Sequence, residues 1–123
     1  DWSGETRIEL GHLPDPDLNP NKRLHPMALH RVKAIAKQEA GWLVLAQGRP
    51  AHPYEHAHIT ITFMAKDRRR RDVDNLLAAC KATVDGLVAV GLLADDDAMH
   101  VSYTLRYERG DKDNTIIEVE GRE

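Results

Sequence analysis

The chain of 123 residues holds a single cysteine, Cys80, so no disulfide within the chain can staple its fold. Aromatic residues are scarce: two Trp, three Tyr and one Phe. No run approaches the ~20 apolar residues that a membrane-spanning helix needs. A basic start followed by an apolar run and a small-residue cleavage site, the mark of a secretory signal, is also missing. There is no internal repeat and no linker-like stretch, so residues 1–123 read as one domain. A chain of this length buries roughly two-thirds of its unfolded surface, enough for a core without staples.

Positive charge is also in short supply overall. The formal net charge is −3, which argues against a nucleic-acid binder. The distribution says otherwise. Residues 1–71 hold 12 Lys/Arg against 8 Asp/Glu, net +4, and residues 72–123 hold 5 against 12, net −7. The sign reverses inside Arg70-Arg71-Asp72-Val73-Asp74, and such an asymmetry is informative where the average is not.

Hydrophobic periodicity outlines the elements. Arg7-Ile8-Glu9-Leu10 alternates as a short strand would, and the three prolines of Leu13–Pro20 mark a loop. From about His25 to Gly48, Leu29, Val32, Ile35, Ala36, Trp42, Leu43 and Ala46 recur at helical steps. Pro26 suits the first turn and Gly48 the stop. On this pattern Trp42 and Leu43 belong to the core. Ala57, Ile59, Ile61 and Phe63 alternate with His58, Thr60 and Thr62 as a half-buried strand. Val73, Leu76, Leu77, Cys80, Val84, Leu87 and Val88 predict one helix from about residue 75 to 90, stopped by Gly91. Val101, Tyr103, Leu105 and Tyr107 form a strand, the run 109–114 a turn, and Ile116, Ile117 and Val119 a last strand antiparallel to it. The predicted architecture is α+β in two layers: a single mixed sheet in β-α-β-α-β-β order with two helices packed on it.

The chemistry concentrates at the charge reversal. Asp72 and Asp74, at i and i+2, can converge on one cation if the backbone is extended there, and hard divalent cations such as Mg²⁺ take oxygen ligands. The same pair can instead cap the helix, Asp74 as N-cap with Asp72 near its positive end. A second acidic group, Asp95-Asp96-Asp97, follows the helix. Its mutual repulsion beside the negative helix end is relieved by solvent or by a cation. The helix is ~24 Å long at 1.5 Å per residue, so the chain must double back for the two groups to meet. Ahead of them stand Arg68, Arg69, Arg70 and Arg71, whose guanidinium forks suit phosphate oxygens, although such a run is also at home in a solvated loop. Lys22, Arg23, Arg31, Lys33 and Lys37 form a second basic group, with Asn19 and Asn21 beside it. Contacts of this kind give affinity without sequence readout. Of the seven histidines, His56 and His58 share a strand face that points to solvent or to a partner. No Cys/His spacing supports structural zinc. Cys80 falls on the apolar helix face, as a small buried thiol rather than a nucleophile.

The segments Arg69-Arg70-Arg71-Asp72-Val73-Asp74-Asn75-Leu76-Leu77, Asp85-Gly86-Leu87, Gly91-Leu92-Leu93 and Asp96-Asp97-Ala98-Met99 together resemble the RusA family of Holliday-junction resolvases, small dimeric endonucleases common in phages and prophages. The strong resemblance spans about residues 66–103; Leu18–Arg23 is similar, more weakly, to the family's Asn-rich N-terminal loop. The resemblance implies Mg²⁺-dependent resolution of four-way DNA junctions by paired symmetric nicks from a homodimer, in recombination and repair. It implies a cytoplasmic place of action in a bacterial host, and neither a membrane nor an organic cofactor. Its catalytic and metal-binding aspartates fall on Asp72, Asp74 and Asp97, with Asp96 alongside. Its DNA contacts fall on Arg68–Arg71 and on Asn19, Asn21, Lys22 and Arg23. The family's catalytic lysine falls on Ala78, a departure. Lys81, three residues on and nearly on the same helix face, is the candidate substitute; it can equally be an ordinary exposed helix residue. Ala78 keeps open a branched-DNA-binding module without catalysis. A related nuclease acting on other branched DNA or on structured RNA is a third reading.

Overall fold

A computed structural model describes residues 3–122. The strand β1 (Ser3–Glu9) leads through a 3-10 turn at Pro16–Leu18 to the helix α1 (Pro26–Gln47). Then come β2 (His56–Ala65), α2 (Val73–Ala79), α3 (Lys81–Ala89), β3 (Val101–Arg109) and β4 (Asn114–Arg122). The four strands form one mixed sheet in the order β1-β4-β2-β3. The α+β architecture expected from the periodicity is the one observed.

Local chemistry sets the element ends. Pro26 opens α1, and the His25 ring accepts a hydrogen bond from Met27 N–H at 3.1 Å. Gly48 ends α1 at φ +88° and Gly91 follows α3 at the same angle, a conformation that costs glycine little. β2 buries Ala57, Ile59, Ile61, Phe63 and Ala65 on one face, and so takes an interior place in the sheet. β3 is only partly covered, and it lies at the edge.

Three expectations need correction. The last two strands run in opposite directions, but they do not pair. β3 lies parallel to one side of β2, and β4 lies antiparallel to the other. The connection between them straddles the end of β2: Gly110 N–H donates to Ala65 O at 3.1 Å and Lys66 N–H to Asp113 Oδ1 at 2.9 Å. The strand with the fullest apolar face thus gains neighbours on both edges, a choice no local turn signal encodes. The predicted single helix is broken at Cys80, where one N–H is shared between the carbonyls of Leu76 (3.2 Å) and Leu77 (2.9 Å). This tightening toward an i→i+3 turn leaves Cys80 buried, so the apolar periodicity runs through it undisturbed. Trp42 is 65% exposed rather than in the core, and Ile35 is 67% exposed. α1 meets the core through Ala40 and Val44, with Leu43 half-buried beside them. Its contact with α3 is too close for large side chains: a Cβ on Gly86 would lie 2.3 Å from Lys37 O.

Candidate metal and nucleic-acid site

Between β2 and α2 the basic run is organised by one ion pair. Asp67 accepts from Arg71 through both carboxylate oxygens, at 2.7 and 3.0 Å, and from Arg69 N–H at 3.1 Å. Arg71 also donates to the Tyr107 hydroxyl at 2.9 Å, which ties the segment to β3. The Arg71 guanidinium, and then the Arg69 amide, pull the Asp67 carboxyl down to about 2. Arg71 is therefore committed to the fold, whereas Arg68, Arg69 and Arg70 are exposed.

Asp72 occupies the N-cap position of α2 with extended backbone (φ −92°, ψ 129°), but its side chain makes no capping hydrogen bond. Asp74 lies inside the first turn and is not the cap. Both carboxylates are exposed, and neither has a hydrogen-bond or ion-pair partner among the described residues. Capping by a hydrogen bond therefore does not account for the pair. Favourable interaction with the helix dipole still applies to both.

The chain does double back after α3. Lys81 Nζ donates to Asp96 Oδ2 at 2.6 Å and also to Asp85 one turn along α3. Asp85 first, and Asp96 second, raise the lysine's affinity for its proton, and the ammonium in turn holds the Asp96 carboxyl below its ordinary range. Lys81 thus joins the late acidic loop to the junction of α2 and α3. At 1.5 Å per residue, that point lies roughly 10 Å along the helix from Asp74. Ala78, where the resemblance places a lysine, is exposed. Asp97 turns elsewhere: its Oδ1 contacts His100 Nδ1 at 2.5 Å and accepts from Met99 N–H at 3.0 Å. The His100 interaction lowers the Asp97 pKa and raises the imidazole's.

Among the described residues, one set of three carboxylate or imidazole groups has ligand atoms within 4.8 Å of one another: Asp95, Asp97 and His100. Asp72 and Asp74 are not part of it. His100 escaped the sequence reading, although the Asp97–His100 spacing of three was there to see. Asp85 escaped it too, four residues from Lys81, a spacing that brings two side chains together on a helix.

The Pro16–Leu18 turn, which precedes the second basic group, packs against α2. Asn19 is used locally, its Oδ1 accepting from Asn21 N–H at 2.9 Å. Lys22 pairs with Asp17 at 2.6 Å, which raises its pKa. Arg23, Arg31, Lys33 and Lys37 are exposed. His56 is exposed and His58 half-buried; the ring of His58 contacts Ser102 Oγ at 2.6 Å and Thr104 Oγ1 at 2.7 Å. Cys80 is fully buried and burial pushes its thiol up to about 12, which leaves it no nucleophilic character.

Asp72 and Asp74 are carboxylates of the kind a hard cation takes, and Arg68, Arg69 and Arg70 are exposed forks that suit phosphate; the compact ligand set among the described residues is the separate one of Asp95, Asp97 and His100. No protein-family model matches the chain, and no match to it was found among curated proteins.

Proposed function

We propose that this chain is a Mg²⁺-dependent endodeoxyribonuclease that resolves four-way DNA junctions as a homodimer. The observation that carries the reading is the return of the 95–97 loop onto Lys81, beside the helix pair that starts with Asp72 and Asp74. Carboxylate oxygens are the ligands that Mg²⁺ takes, and by the resemblance Asp72, Asp74 and Asp97 would hold it with Asp96 alongside; in this structure the Asp97 carboxylate is turned to His100 and does not cluster with those of Asp72 and Asp74. Such an ion would supply a water of lowered pKa and would polarise the scissile phosphate. Lys81, kept protonated by Asp85 and Asp96, offers a positive charge for the charge that develops on the leaving oxygen. Arg68, Arg69 and Arg70, with Arg23 and Lys22, contact backbone phosphates and hold the branched substrate without reading its sequence. One acidic centre per chain calls for two copies on a two-fold junction.

A specific observation favours a second reading, binding without cleavage: the exposed Ala78 stands at the family's lysine position, and Asp72 and Asp74 lie outside the one compact set of ligands. A labelled four-way junction separates the two. With Mg²⁺, paired symmetric nicks that disappear in Asp74→Asn are expected. Binding in EDTA with no cuts in any divalent metal establishes the second reading. Cuts unchanged by Asp74→Asn refute the assigned site. Duplex, fork and structured RNA in the same assay distinguish a nuclease of other selectivity.

A further inference from the structure

The helix α1 is apolar on two sides. Ala40 and Val44 meet the core, and a second apolar stripe faces away from it. Of the seven large apolar side chains that are exposed among the described residues, four stand on this outward side: Met27, Ile35, Trp42 and Leu45, each 53–67% exposed. Arg31, Ile35, Gln38, Trp42 and Leu45 follow one another at steps of four and three, the spacing of a coiled-coil seam, and all five are exposed. Arg31 is the one charged residue among them. At 1.5 Å per residue the stripe runs ~27 Å from Met27 to Leu45.

The stripe is large enough to hold a partner. At roughly 200 Å² for a large side chain fully exposed, those four leave about 500 Å² of apolar surface open, the upper end of what a monomer shows in one patch. Homodimer interfaces are about 65% apolar, so the patch belongs to a contact of roughly 800 Å² per copy, the size of a standard stable interface. The stripe is also complementary to itself. Antiparallel pairing about the midpoint of α1, between Ala36 and Lys37, sets residue 31 opposite 42 of a second copy, 35 opposite 38 and 28 opposite 45. The one cation, Arg31, then lies over the Trp42 ring of the other copy, an attractive arrangement, and Leu45 over the small Ala28. The two helices overlap over their full length, Pro26 opposite Gln47. Parallel pairing would oppose Arg31 to Arg31 instead.

We infer that the outward face of α1 is a self-association surface, on which a second copy of this chain docks antiparallel through the stripe from Met27 to Leu45. This is the contact between the two copies of the proposed nuclease, but it rests on the surface of α1 and not on the acidic site. It also gives the apolar residues on that face an apolar neighbour, which the fold of one copy does not.

Light-scattering mass of the full chain, without DNA or metal, tests the association. A dimer at micromolar concentration is expected, and Trp42→Glu should raise its dissociation constant by at least about tenfold. Ile35→Lys should do the same from a second exposed position, while Lys33→Glu, exposed but off the stripe, should not. Circular dichroism checks that each variant is folded. The orientation is read by cross-linking with a short bis-maleimide, because the one native cysteine, Cys80, is buried. Gln38→Cys sets the two new thiols less than one helical turn apart along the axis and should cross-link. Met27→Cys sets them roughly 28 Å apart and should not. A monomeric wild type, a dimer left intact by Trp42→Glu and Ile35→Lys, or equal cross-linking at both positions overturns the inference. A dimer that meets these expectations and cuts no junction overturns the nuclease reading alone.

Discussion

The closest approach of two helices offers the sharpest test of the packing that carries the site. In Gly86→Ala the new Cβ would stand 2.3 Å from Lys37 O and 3.0 Å from Ala40 Cβ. Neither obstacle can swing away: one is backbone and the other is the first side-chain atom of a fully buried residue. Restoring an ordinary contact distance near 3.4 Å needs about 1 Å of separation between α1 and α3. Overpacking of this kind costs typically 1–3 kcal/mol. Alanine's better helix propensity returns about 1 kcal/mol, and a contact this short belongs at the costly end, which leaves a net loss of about 1–2 kcal/mol. An unfolding entropy of about 2.1 cal/mol/K per residue converts that to a fall in Tm of roughly 4–8 °C for a chain of 123 residues. Gly41→Ala, in α1, is the internal control. Its nearest atom would be Val90 Cβ at 3.8 Å, an ordinary contact, so propensity acts alone and Tm should rise by a few degrees, for a gain of at most about 1 kcal/mol. Thermal and guanidinium unfolding of both variants check the pair. A Gly86→Ala protein as stable as the wild type would refute the account of the interface.

The Arg71–Asp67 pair should outlast most carboxylates in acid, because its stabilisation is present above 3.8 and is lost only as pH falls through about 2; a carboxyl NMR titration in which Asp67 protonates near 3.8 would contradict it. Arg69→Ala should lower the slope of log binding constant against log salt for junction DNA by about 0.9, and an unchanged slope removes Arg69 from the phosphate contacts. Lys81→Met should let the Asp96 carboxyl titrate nearer its ordinary range, since the ammonium is what holds it down. It should also slow junction cleavage more than it weakens junction binding, and equal effects on both would assign Lys81 to binding alone.

Much of the fold is written locally. The bounds of α1 follow from Pro26 and Gly48, and those of β2 from strict alternation, because both signals act within a few residues. The order of the strands is not local: β2 takes β3 on one edge and β4 on the other, and only burial of the whole apolar face decides it. The break at Cys80 is invisible because a single shared N–H does not change which residues are apolar. Trp42 misled because the apolar stripe was drawn too wide: at 3.6 residues per turn it lies about 160° around α1 from Ala40 and Val44, the residues that are buried. At the candidate site, Asp72, Asp74 and the late aspartates were legible as charge patterning. The partners that orient them, Asp85 for Lys81 and His100 for Asp97, lie at helix-turn spacings that mean little until the backbone is known to turn there.

The sheet order also fixes when this protein can exist as a folded object. β1 pairs with β4 and with no other strand, in a register that sets Ser3 against Arg122. During synthesis the N-terminal strand therefore waits, with both edges unpaired, until the last strand emerges. β2 and β3 have only each other in the meantime. No fragment that stops short of β4 completes the sheet. Because β1 and β4 lie side by side with Ser3 opposite Arg122, a short loop can join residues 3 and 122, and new ends can be opened between the exposed Asp111 and Lys112 with every strand pairing kept.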